Sequence, residues 1–188
     1  LYKPSYISLN TVLFQEGVIF QYDSSIFLVS YLSRELTVKN QTFIYKKIKD
    51  DILLNPRGLI RKDFYHQASL SRAFLDMIYL YTDFHFDNLF KLNWDECFEL
   101  AAIYENKSLV KRLNSYYQDF KEDAQAHRIN LLEQIDKAIK HVEEFPNKDI
   151  LQGLGELLLQ NHKDWVKDNL KNELLLKLKI HREAIKIQ

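Results

Sequence analysis

Apolar and polar positions alternate with two different periods along the chain, and the change of period marks the elements. In "SLSRAFLDMIYL" (69–80), Leu70, Ala73, Phe74, Met77 and Ile78 recur at helical spacing and predict one buried face. Ser69, Arg72, Asp76 and Tyr79 form a narrow polar stripe on the opposite side. Helices are predicted at 70–81, 93–104 and 107–120. A shorter one is predicted within "PSYISLNTVLFQEG", with Ser8 as N-cap and Gly17 just past its end. Period two dominates earlier. "SIFLVSYL" (25–32) and "QTFIYKKI" (41–48) are rich in β-branched and aromatic residues and read as strands joined by a polar connection. In the second, Thr42, Ile44 and Lys46 alternate with Phe43, Tyr45 and Lys47, which predicts one wet face. Asn55-Pro56-Arg57-Gly58 signals a turn, and residues 59–69 hold one or two further short strands.

Beyond residue 122 the pattern is helical throughout. Leu132, Ile135, Ile139 and Val142 are spaced 3-4-3, as in a coiled-coil seam, and Phe145-Pro146-Asn147 ends that helix. "DILQGLGELLLQ" and the stretch after Lys163 supply further helical segments. Composition changes at the same place. Of the 25 aromatic residues, only Phe145 and Trp165 lie after residue 122. The reading is therefore an α+β domain over 1–122, a small mixed sheet with packed helices, followed by a helical tail of two or three helices over 123–188.

Charge narrows the function classes. The 188 residues carry 26 basic and 26 acidic side chains, so the chain as a whole is not a basic nucleic-acid binder. The local exception is residues 46–62, where Lys46, Lys47, Lys49, Arg57, Arg61 and Lys62 face only Asp50 and Asp51, with Phe64 and Tyr65 just after. That segment is the candidate contact for nucleic acid or a protein partner. The same lysines also suit a solvated strand edge that discourages aggregation. No apolar run is long enough for a membrane span. The single cysteine, Cys97, excludes an internal disulfide and suits the cytoplasm. It sits among Phe98, Leu100 and Ala101 as a buried, inert thiol.

Candidate chemistry is sparse. None of the six histidines has the spacing of a helical metal site, and no metal or cofactor is expected. With four glycines, a glycine-rich phosphate cradle is hard to build. "DFHFD" (83–87) offers two carboxylates and a histidine, but its place after a helix suits a loop and cap role. Arg72 and Asp76 have the i, i+4 spacing of an ion pair, in the less favourable order. We read them as a structural polar pair, with Arg72 able to bind backbone carbonyls of a loop if the fold wraps the helix.

One resemblance gathers these segments. "LYKPSYISLNTVLFQEGVIF" (1–20), "FIYKKIKDDILLNPRGL" (43–59), "ASLSRAFLDMIYL" (68–80) and "FDNLFKLNWDECFEL…YENKSLVKRLNSYY" (86–117) together resemble the C-terminal domain of AbiEi-like antitoxins of bacterial type IV toxin–antitoxin systems, which act in abortive infection and phage defence. "PSYIS" and the "SRAFLD" helix are the most specific elements. The resemblance implies a non-enzymatic antitoxin and transcriptional regulator. A winged helix before Leu1 would bind operator DNA, and a nucleotidyltransferase-like toxin would be the partner, opposed directly or indirectly. The family usually has an acidic residue where Ser71 stands, a departure that touches helix capping. The resemblance ends near residue 122, and the tail over 123–188 is then the candidate homodimer contact. Two readings from other classes are a nucleic-acid-processing enzyme using Asp83 and Asp87, and a pure oligomerisation or scaffold module.

Overall fold

A computed structural model describes residues 4–144. Its fold is α+β. Six strands form one mixed sheet: β1 (Ser5–Ile7), β2 (Ile26–Ser30), β3 (Arg34–Val38), β4 (Gln41–Lys47), β5 (Leu59–Arg61) and β6 (His66–Ala68), in the order β3-β4-β2-β1-β6-β5. β2 runs parallel to β4 and β1 parallel to β6, whereas β1/β2, β3/β4 and β5/β6 are antiparallel. The two strands expected at 25–32 and 41–48 are therefore neighbours of the same direction. What joins them is β3, read in the sequence as a polar connection. Two facts hid it. It is an edge strand, where charged residues such as Arg34 and Glu35 are tolerated and useful. Its hairpin to β4 turns on Lys39 (φ 47°) and Asn40 (φ 65°), the left-handed pair of a tight hairpin turn, without the usual glycine.

The first predicted helix is shorter than expected and preceded by a strand. "SYI" pairs with β2 as β1, and α1 covers only Asn10–Gln15. Leu9, not Ser8, occupies the N-cap, at φ 56°, with its side chain wholly buried. Ser8 instead turns its hydroxyl into the core. The C-terminal signal holds: Gly17 lies at φ 72°, with Gly17 N–H bonded to the Phe14 carbonyl and Val18 N–H to the Leu13 carbonyl. That is the paired closure a left-handed glycine permits.

Four further helices follow: α2 (Asp50–Leu53), α3 (Leu70–Leu80), α4 (Trp94–Ala101) and α5 (Lys107–Glu144), with short 3-10 turns at 89–91 and 102–104. α2 is too short to leave a periodic trace. α5 runs through 121–127, where the sequence reading had broken it; "KEDAQAH" contains no glycine or proline to stop a helix. The chain divides into two compact units, Leu1–Asp119 and Phe120–Gln188. The side chains of Ile135, Ile139 and Val142, and the helices expected beyond Phe145, lie outside the described residues. None of the described helices is long and apolar enough to cross a membrane.

In the first unit α3 is the central element. It packs against α1, α4 and β6. Phe74, Leu75, Met77 and Ile78 have no exposed surface, each burial contributing roughly 1.5–3 kcal/mol. Phe74 stacks edge-on or tilted against Phe86, Trp94 and Tyr116, at 4.8, 5.9 and 5.8 Å between ring centres. Of the stripe expected on the polar side of α3, Arg72 and Asp76 are buried as completely as the apolar face, as is the neighbouring Ser71, whereas Ser69 and Tyr79 are half-buried. Over residues 71–78 the helix is wrapped on all sides, and its polar side had to be satisfied from within.

Candidate functional site

The six basic residues singled out in the sequence are not gathered into one stripe. Register places Lys46 beside Val29, which pairs with Tyr6, so Lys46 lies on the α3 side of the sheet. Its ammonium sits 5.9 Å from the Tyr81 ring centre. Lys47 falls on the other face, since successive strand residues alternate. Lys49 precedes α2 and, with Arg57, borders a cleft of about 320 Å³ shared with Asp51 and Glu105, a site of mixed charge. Arg57 also pairs with Glu99 at 2.7 Å. Arg61 and Lys62 belong to a different place, a groove of about 1050 Å³ beside β5.

Arg72 and Asp76 lie instead at the centre of a closed polar cluster. Asp76 Oδ1 accepts hydrogen bonds from the hydroxyls of Tyr104 (2.6 Å) and Tyr6 (3.2 Å), and Oδ2 from Ser8 (2.7 Å). Arg72 donates from one terminal nitrogen to the Arg57 carbonyl (2.9 Å), and from the other to the Ile52 carbonyl (2.6 Å) and the Tyr6 hydroxyl (3.3 Å). Its Nε faces Asp76 Oδ1 at 3.6 Å, too far for a hydrogen bond. The guanidinium also lies 5.3 and 5.6 Å from the ring centres of Tyr104 and Tyr6. The sequence pair i, i+4 is thus only the seed of a five-residue cluster. Tyr6 comes from β1, Ser8 from the loop after it and Tyr104 from the 3-10 turn at 102–104.

Burial sets the electrostatics here. It raises the Asp76 carboxyl above the ordinary range, against the Arg72 charge and the three hydroxyl donors, which pull it down. It also lifts the Tyr6 and Tyr104 hydroxyls well above theirs, reinforced by Asp76, so both remain protonated donors. For Arg72 burial disfavours the charge, but the surrounding Tyr104, Tyr6 and Asp76 outweigh it and the guanidinium stays ionised. Apart from Arg72 Nε, every side-chain polar group of the cluster is hydrogen-bonded within the protein. Its work is to tie the ends of α2 and the 55–58 turn to α3.

A second polar clamp supports α3. Glu96, on α4, accepts from Ser71 (2.8 Å) and Ser69 (3.2 Å) at the helix N-terminus, while the Ser69 hydroxyl accepts the Arg72 N–H as N-cap. The carboxylate absent from position 71 is supplied by a neighbouring helix, where negative charge suits the N-terminal end. Cys97, next in sequence, is buried, and burial pushes its thiol up to about 12.

The groove beside β5 is built from three sources. One wall is the end of α2 and the turn after it: Leu53, Leu54 and Pro56. The sheet side is Pro4, Ser5 and Tyr6 at β1 with Leu59 on β5, and the β5–β6 hairpin adds Arg61, Lys62, Phe64 and His66. Leu54 is 66% exposed and Phe64 90%. Arg61 and Lys62 make no ion pair among the described residues. The sequence reading had noted the charges and Phe64-Tyr65, but the apolar wall comes from a helix it did not predict.

The remaining candidates are accounted for by loop structure. Asp87 Oδ2 accepts the Phe20 N–H at 2.7 Å and its Oδ1 lies 3.7 Å from exposed His85, so this carboxylate fastens two loops together. Among the described residues no group of three or more His, Cys, Asp or Glu side chains is placed to hold a metal ion. Comparison with known proteins finds no matching family model, no matching curated protein and no matching solved structure.

Proposed function

We propose that this chain is the recognition body of an AbiEi-like antitoxin: a non-enzymatic, cytoplasmic protein that opposes a nucleotidyltransferase-like toxin, with operator binding carried by a winged helix upstream. One observation carries the reading. The tightly knit set of ionisable groups, Arg72, Asp76, Tyr6 and Tyr104, is sealed in the core and bonded within itself and to nearby backbone. What the domain presents outward is an open apolar and cationic groove. A catalyst needs its acid, base or nucleophile within reach of substrate; a recognition module needs surface shape and charge. The residue pattern of "PSYIS" and "SRAFLD" supports the family, because both segments supply members of the buried cluster: Tyr6 and Ser8 from the first, Arg72 and Asp76 from the second.

The test is growth rescue. Where a nucleotidyltransferase-like protein is encoded beside the chain, co-expression of the two should restore growth that the toxin alone arrests. Rescue should survive Asp83→Asn and Asp87→Asn in combination. Failure to rescue by the folded chain would sink the antitoxin reading, and loss of rescue in the double Asn variant with folding intact would turn attention to an enzymatic role.

A further inference from the structure

The groove beside β5 specifies its occupant through backbone, shape and charge together. β5 ends the sheet and pairs only with β6. Ser69 N–H donates to the Gly58 carbonyl and Lys62 N–H to the Tyr65 carbonyl, so residues 58 and 62 bond inward. The alternation of an antiparallel ladder then turns the peptide groups of Leu59 and Arg61 outward. The Leu59 N–H is taken by the Pro56 carbonyl. Its carbonyl and both backbone groups of Arg61 point to the open edge. Along that edge the chemistry is graded. Leu54, Pro56 and Leu59 stand at the start of β5, while Arg61, Lys62 and His66 stand at its end with Asp63 as the acid among them.

We propose that this groove binds an extended segment of a partner protein, added as a seventh strand beside β5, with apolar residues opposite Leu54 and Leu59 and Asp or Glu residues opposite Arg61 and Lys62. Main-chain hydrogen bonds to the β5 edge supply affinity and the graded wall supplies selectivity. The opposite edge, β3, offers no such gradient: Arg34, Glu35 and Thr37 mix both signs along it. A nucleic-acid strand fits less well. Its phosphates need a continuous basic track, and here the basic residues are interrupted by Asp63 and by the apolar Leu53, Leu54, Pro56 and Leu59. The inference takes from the proposed function only that this domain recognises a partner; growth rescue and peptide binding are separate measurements, and either can fail without the other.

The experiment is fluorescence anisotropy on the full chain with labelled octapeptides, apolar-then-acidic and acidic-then-apolar, so that both strand directions are sampled. At least one should bind. Replacing its acids by Lys should weaken it about tenfold or more. N-methylation of alternate backbone amides, which keeps the side chains, should do the same. The Arg61→Glu/Lys62→Glu variant, with an unchanged melting temperature, should lose the acidic peptide and gain the Lys version. No binding by either acidic peptide, indifference to N-methylation, or preferential binding of oligothymidylate would each overturn the proposal, the last marking the groove as a nucleic-acid face.

Discussion

Two arginines, 15 residues apart in sequence, meet in this molecule and have opposite fates. Arg72 has no exposed surface, and its guanidinium is held by two backbone carbonyls and a tyrosine hydroxyl. One of those carbonyls belongs to Arg57, whose own guanidinium is turned outward, 2.7 Å from the exposed carboxylate of Glu99. The backbone of this segment at Arg57 is thus part of the architecture, while the Arg57 side chain lies at the surface. Charge alone does not tell the two apart; what separates them is whether the fold closes over the residue and must then supply partners.

The sharpest way to break that contrast is to remove one member of the buried pair. Asp76→Ala leaves the Arg72 charge uncompensated in the core, and Arg72→Ala strands the Ile52 and Arg57 carbonyls together with Asp76. Each is expected to lower stability by about 3–5 kcal/mol. Urea unfolding measures this, and a change below about 1 kcal/mol would show that the cluster does not hold the fold. The double variant Arg72→Met/Asp76→Leu should cost less than the two single changes added, because no lone charge remains.

The next effect falls on the turn that brings the two arginines together. Gly58 lies at φ 72°, and a Cβ placed on it would come 2.9 Å from Leu100 Cδ1 and 3.0 Å from Arg72 Cβ. Gly58→Ala therefore combines left-handed strain with a close approach to the side chains of Leu100 and Arg72, at an expected cost of about 1–3 kcal/mol. Gly17→Ala has the same backbone strain with nothing within 4 Å, so it should cost less. Equal losses in thermal melts of the two variants would mean that the crowding at Gly58 is relieved without cost.

How much of this was legible beforehand follows from where each signal resides. α3 and α4 were readable because their apolar residues repeat over several turns, and β2 and β4 because they are apolar and β-branched. β1 and α2 were not, at three and four residues, since neither completes a period. The i, i+4 pair points to an internal tie, and the donor geometry of Arg72 suits loop carbonyls. Its partners Tyr6, Ser8 and Tyr104 are separated from Asp76 by 70, 68 and 28 residues, and no local pattern carries such information. Likewise the groove combines the charges of residues 61–66, which the sequence displays, with the end of α2, the turn after it and β1, which only the tertiary arrangement brings together.

A smaller effect sharpens the electrostatic side of the comparison. The carboxyl of Asp76 is raised by burial above its usual value near 3.8, so the folded chain holds that proton more tightly than the unfolded chain. Its contribution is full below about 3.8 and is lost as pH rises through the folded value. Acidification should therefore stabilise the wild type relative to Asp76→Asn, the reverse of ordinary acid denaturation by surface carboxylates. Stepwise urea melts of the two proteins measure the difference. A gap that stayed constant, or that closed as pH fell, would show that the paired charges overcome burial.

The smallest effect lies at the outward arginine and gives the comparison its other end. Arg57 and Glu99 are 47% and 72% exposed, so water screens both charges and their long side chains must be ordered to meet. Arg57→Ala should cost at most about 1 kcal/mol, and half a molar salt should abolish most of that difference. The Arg57 carbonyl is untouched by the substitution, so Arg72 keeps its partner and the buried cluster should not register the loss. If Arg57→Ala instead destabilised by as much as Asp76→Ala, the side chain and backbone of this segment could not be assigned separate roles. The exposed pair would then have to be holding the 55–58 turn in the position that Arg72 requires.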